Sequence, residues 1–154
     1  MNFKNFLIES ENKDVKTSLL KLPKKHRALI SGYKVVFEDG NTIKGDGDHV
    51  GFIDEEKKTI TIAAPWNYGR EYAFLHEVGH VIWKYIVDED MRKKWNKLVK
   101  QHKAEQKNKV NSSNSLDQNT EELFCMVYAA VYSNHPPITF SNKAWESFVK
   151  SINN

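Results

Sequence analysis

The sequence predicts an α+β domain, with a short β region in its first half and a helical second half. Three observations carry that reading. Between residues 33 and 62, β-branched and aromatic residues gather in short runs separated by polar turns. From Tyr72 to Val87 the chain reads YAFLHEVGHVIWKYIV, an apolar stretch of helix length. A second one, TEELFCMVYAAVY, follows from Thr120 to Tyr132. A chain of 154 residues suits one domain with one core, residues 1–154. Hydrophobic residues at 40% and charged residues at 28% place it among ordinary globular proteins.

In chain order, residues 3–30 read as two helical pieces. Phe3, Phe6 and Leu7 form one apolar stripe, and Val15, Leu19, Leu20 and Leu22 another, with Pro23 as the break. Lys24, Lys25 and Arg27 then read as solvated surface, and His26 as a surface histidine. Tyr33 to Phe37 is a strand ending at the turn signal Glu38-Asp39-Gly40-Asn41, with Thr42-Ile43-Lys44 positioned to pair back as a hairpin. The loop Gly45-Asp46-Gly47-Asp48 lacks the spacing and closing glutamate of a calcium loop. His49 to Ala64 reads as a second hairpin about the polar turn Asp54–Lys58. The strand just ahead of the apolar helix is expected to be an edge on which an extended peptide adds, with Trp66 and Tyr68 near the cleft.

The helix expected from about Gly69 to Val87 is apolar around most of its circumference, so it should be central. Inside it stands His76-Glu77-Val78-Gly79-His80. Histidines four residues apart on a helix lie about 40° apart around its axis, so both imidazoles reach one ion. In a buried helix two histidines and a glutamate are costly without partners, and a zinc ion resolves that cost for the histidines. Glu77 points to another side, where a carboxylate acts as general base on water. Gly79 leaves room between the histidines for another backbone to approach. Asp88-Glu89-Asp90 ends this helix or caps the next, a lysine-rich helix over 91–109 with a narrow apolar stripe of Met91, Trp95, Leu98 and Val99. His102 on that helix reads as exposed. Residues 110–119 are polar and aperiodic, a mobile loop by sequence.

A hydrolytic zinc site needs a third protein ligand. Glu121 and Glu122 stand at the first turn of the helix over 120–132. Taken alone, Glu122 fits a capping box with Asn119. Taken with the histidine pair 42 residues upstream, it is better read as the ligand. Glu121 then faces solvent or holds a ligand histidine from behind.

At these residues the chain resembles the gluzincins, in which an H-E-x-x-H helix is followed about forty residues later by a helix beginning with glutamate. It is most similar to the family of the anthrax lethal factor catalytic domain and the Pro-Pro endopeptidases. In that family the second helix reads E-[FY]-F-A-E-A-F, and its first glutamate binds zinc. Here the stretch is Glu122-Leu-Phe-Cys-Met-Val-Tyr, which selects Glu122 over Glu121. The tail PPITFSNKAWESFVKSIN, with a last short helix, fits the same pattern, so the resemblance spans roughly residues 50–152. It implies a zincin-like metallopeptidase domain with one zinc on His76, His80 and Glu122, Glu77 as catalytic base, and a peptide or protein substrate.

Two departures stand out. The family's tyrosine seven residues before the glutamate ligand, which stabilises the oxyanion, is Ser115 here. Loss of such a donor costs about 3 kcal/mol of transition-state stabilisation. Tyr68, His49 and His102 are the candidate replacements. The second glutamate of the helix motif is Met126. The main reading is therefore a zinc metalloendopeptidase, and its rival a non-catalytic, zinc-stabilised structural or interaction module. A second rival is a nucleic-acid or acidic-protein binder using the basic surface from Arg92 to Lys109, with nucleic acid disfavoured since a net charge of +3 is small. A zinc deaminase lacks its cysteine-bearing ligand motif. One cysteine, Cys125, excludes an internal disulfide and fits a reducing compartment. With no apolar run of spanning length and no signal peptide, a cytoplasmic location is expected.

Overall fold

The computed structural model describes residues 13–38, 51–63, 69–107 and 119–153. Within them the fold is α+β, with six helices and a three-stranded sheet. The elements are α1 (Lys13–Lys21), α2 (Lys24–Ile30), β1 (Lys34–Phe37), β2 (Gly51–Asp54), β3 (Thr59–Ile62), α3 (Arg70–Tyr85), α4 (Glu89–Lys107), α5 (Thr120–Tyr132) and α6 (Lys143–Ser151). The first helical stripe expected at Phe3 to Leu7, the segment Thr42 to Lys44, and His49, Trp66, Tyr68 and Ser115 lie outside the described residues.

The sheet departs from two successive hairpins. β2 and β3 form the expected antiparallel hairpin, with Gly51 opposite Ile62 and Asp54 opposite Thr59. β1 instead joins β3 in parallel, from Lys34 opposite Thr59 to Phe37 opposite Ile62, so the order is β1-β3-β2. This corrects the expectation that the strand just ahead of the motif helix is an edge. β3 is central, and β2 is an outer strand among the described residues. Burial explains the choice: Ile60 and Ile62 are fully buried and Thr61 nearly so, whereas β1 and β2 are only partly covered. The strand with both faces covered gains most from partners on both edges.

α3 is the central helix, with Ala73, Phe74, Leu75, Val78, Val81 and Ile82 buried around it. It packs antiparallel to α5: Glu71 meets Ser133 and Asn134 at one end, Tyr72 donates to the Met126 carbonyl, and His76 and His80 meet Glu122 and Glu121 at the other. Around α5 the core is aromatic. Phe124 packs on Trp83 at 5.1 Å and on Trp95 at 5.7 Å between ring centroids, and Trp95 on Trp145 at 5.8 Å. Arg92 donates to the Trp83 carbonyl at 2.8 Å, satisfying a free acceptor at the C-terminal turn of α3. Asp88 caps α4 by accepting from Met91 N at 2.8 Å.

Two histidines are not where the sequence reading put them. His26 is fully buried, and its Nδ1 lies 2.9 Å from the Tyr128 hydroxyl. His102 is half-buried, stacked edge-on against Trp145 at 4.7 Å with Nδ1 3.2 Å from Asn142. His26 stands one turn before the buried Ile30 on α2, and His102 continues the stripe Trp95–Val99–His102 on α4, both at helical spacing. The lysines of α4 behave as expected: Lys93, Lys94, Lys97 and Lys100 are exposed, opposite the buried Trp95 and Val99. No described helix is long and apolar enough to cross a membrane.

Candidate metal centre

The antiparallel seam of α3 and α5 brings the sequence-predicted residues together. His76 and His80, one turn apart on α3, have ring centroids 5.1 Å apart. Opposite them, on the first turn of α5, the Glu122 carboxylate spans both. Its Oε2 lies 3.1 Å from His76 Nε2 and its Oε1 lies 3.0 Å from His80 Nε2. One donor atom from each of His76, His80 and Glu122 falls within 4.8 Å of the others. Among the described residues this is the group of histidine, cysteine and acidic side chains suited to holding an ion.

Glu121 takes the other role that the sequence left open to it. Its Oε1 lies 2.8 Å from His80 Nδ1, on the far side of the ring from Glu122. A carboxylate behind a histidine fixes ring orientation and directs Nε2 forward, the arrangement seen behind metal-binding imidazoles. Asn119 caps α5 by accepting from Glu121 N at 3.0 Å, so the capping signal was real. The Glu122 side chain, however, is turned to the histidines. With Asn119 supplying the cap, the first turn holds two carboxylates that both aim at α3.

The close fit of the two helices depends on Gly79. A methyl group built there would stand 2.9 Å from Cys125 Cα and 3.1 Å from its Cβ. Both are atoms of the α5 frame that cannot swing aside, so any side chain at Gly79 forces the helices apart. The glycine between the two motif histidines thus sets how closely the first turn of α5, and with it Glu122, approaches them.

The electrostatics suit a cation. Hydrogen bonds from His76 and then His80 hold the Glu122 carboxyl far below its usual range, against the effect of burial. Burial disfavours a charged His80, but its contacts with Cys125, Glu122 and Glu121 outweigh that and push it up to about 12. Burial raises the Cys125 thiol to about 11, leaving it protonated at neutral pH. Two imidazole nitrogens and a carboxylate match the ligand chemistry of zinc. Tetrahedral ligands about 2.0–2.1 Å from zinc stand roughly 3.3 Å apart; the two Glu122 oxygens lie 3.1 and 3.0 Å from the two rings, and the three donors fall within 4.8 Å of one another, so the side chains would draw together around an ion.

Glu77 lies apart from this triad, as its helical position requires. It is buried, 8% exposed, and turned toward the start of β2. Of the candidate oxyanion donors, His102 sits against Asn142 and Trp145 at the α4–α6 contact. Compared with known proteins, the chain matches no family model, no curated protein and no solved structure.

Proposed function

We propose that this chain is a zinc-dependent endopeptidase of zincin-like type, with zinc held by His76, His80 and Glu122. The observation that carries the reading is one carboxylate addressed by the Nε2 atoms of both motif histidines, with a second carboxylate behind His80. A zinc ion there supplies Lewis acidity, acidifying a water and polarising the substrate carbonyl. The chain's own residues do the rest. Glu77 accepts the proton of the attacking water and delivers it to the leaving amine.

β2 supports a place for an extended substrate. Ile62 accepts from Glu38 N on the β1 side, so Gly51, opposite Ile62, is in a pair whose N–H and C=O groups face away from β3. Among the described residues no strand pairs with the outer side of β2, so Gly51 and Ile53 present backbone groups there, with Gly51 next to Glu77, for a peptide to add in strand form.

One observation favours a zinc-stabilised module without turnover: Ser115 stands where the resembled family has tyrosine, and His102 is engaged elsewhere. The same experiment separates the two readings. Glu77→Gln is expected to keep about one zinc, as a three-ligand site requires, and to lose cleavage of denatured casein by the wild type. Hydrolysis retained in Glu77→Gln rejects the mechanism. Zinc binding with no cleavage by the wild type selects the module.

A further inference from the structure

Gly51 is not explained by its backbone. Gly69 is the described glycine with a positive φ, and Gly51 lies in a regular strand, where glycine is less favourable than alanine. Its surroundings account for it. A methyl group built on Gly51 would lie 3.0 Å from Cγ and 3.0 Å from Oε1 of Glu77, and 3.0 Å from Cδ1 of Ile62. Normal carbon contacts are about 3.5–4.0 Å, so the methyl group has to displace the Glu77 side chain or Ile62 by about half an ångström. The place where β2 meets α3 is fixed from the other end of the strand. Glu55 accepts from the Tyr85 hydroxyl at 2.8 Å and from Lys58 Nζ at 2.8 Å, with Lys84 Nζ at 3.7 Å. With Glu55 anchored at the end of α3, β2 runs back along the helix and brings Gly51 onto Glu77.

We infer that Gly51 is a positioning residue for Glu77: its missing side chain lets the β2 backbone close on the carboxylate and sets where the base stands. This rests on the metallopeptidase reading. The atoms that must yield to a methyl group belong to the side chains of Glu77 and Ile62 and none to the backbone, so the fold absorbs Gly51→Ala while the base is misplaced. Displacements of this order at a reacting group lower rates by about ten- to a hundredfold.

The test uses the full chain as Gly51→Ala, Glu77→Asp and the double variant. Turnover is read on a quenched fluorogenic peptide built from a casein cleavage site. In parallel, the glutamate side-chain carboxyl carbons are labelled with 13C, and the Glu77 resonance is assigned by its loss in Glu77→Gln. Gly51→Ala is expected to retain zinc and melting temperature, to lose about tenfold or more in kcat with KM nearly unchanged, and to shift the Glu77 resonance while that of Glu71 stays in place. Because Glu77→Asp withdraws the carboxylate by one methylene, the double variant should lose no more than Glu77→Asp alone. An unmoved Glu77 resonance, a wild-type kcat, additive losses in the double variant or a general collapse of the resonances overturns the inference. If the wild type cleaves nothing, the peptidase reading fails and the Glu77 resonance alone decides the Gly51 contact.

Discussion

The seam between α3 and α5 has a polar cluster at each end, and the two are built differently. At one end the Glu71 carboxylate is buried, 7% exposed, and accepts from the Ser133 hydroxyl, from Asn134 N at 2.6 Å and from Asn134 Nδ2 at 3.0 Å. Its partners are neutral donors, and they hold it below the usual carboxylate range despite burial. At the other end Glu122 is nearly half exposed at 45% of its side chain, and its partners are two titratable imidazoles. A carboxylate satisfied by neutral donors in a closed pocket has no further capacity for a ligand. A carboxylate that shares two imidazole nitrogens at an open end exchanges those contacts for a cation without leaving a buried group unsatisfied. The same pair of helices is therefore locked at one end and available at the other.

That contrast is tested first at the open end. Glu122→Ala is expected to abolish zinc binding, while Glu121→Ala keeps the ion with about 10- to 100-fold weaker affinity, as loss of an outer partner does. Metal analysis and competition with a chelator measure both, and equal losses would remove the distinction between ligand and support. At the closed end, Glu71→Ala leaves the buried Ser133 hydroxyl and the partly buried Asn134 N–H without their acceptor. It is expected to cost about 3 kcal/mol in urea unfolding and to leave zinc stoichiometry unchanged in the folded protein. Zinc loss at full stability would show that the two ends are not independent.

The smallest effect is a pH dependence next to the closed end. Burial pushes His26 down from 6.5 to about 4, against a backbone contact with Ile152 that favours the charged ring. The unfolded chain therefore binds a proton that the folded chain refuses between these values. Stability is at its full value above pH 6.5 and falls as pH drops toward 4. Between pH 7 and pH 5 the expected loss is about 2 kcal/mol. Urea titrations of the wild type and His26→Gln check it: the variant should lose this part of the slope, and equal slopes would refute the assignment.

Much of the site was legible because it is local. The four-residue spacing of His76 and His80 fixes a shared helix face whatever surrounds it, and the glutamates of α5 are named by their place on a first turn. Asn119 as the cap of α5 was equally legible. The choice between solvent and His80 for Glu121 was not, because it depends on how α3 and α5 lie against each other. The burial of His26 and His102 was missed although both sit at helical spacing with apolar neighbours. A histidine is read as polar by default, and only a partner such as Tyr128 or Asn142, distant in sequence, makes its burial affordable. The parallel pairing of β1 with β3 was missed for a related reason: a turn signal favours the nearest strand, whereas the pairing follows burial of Ile60 and Ile62.

The sequence by itself determined the α+β class, the helices and hairpin, and the shared helix face of His76 and His80, since each follows from spacing of a few residues; Glu122 was singled out by the family resemblance and not by spacing. Tertiary structure alone decided the strand order, the bond from Glu121 to His80, the entry of Cys125 against Gly79 and the meeting of Gly51 with Glu77. Those contacts join segments many residues apart, and their distances are set by packing of helix on helix and strand on helix, which no local periodicity contains.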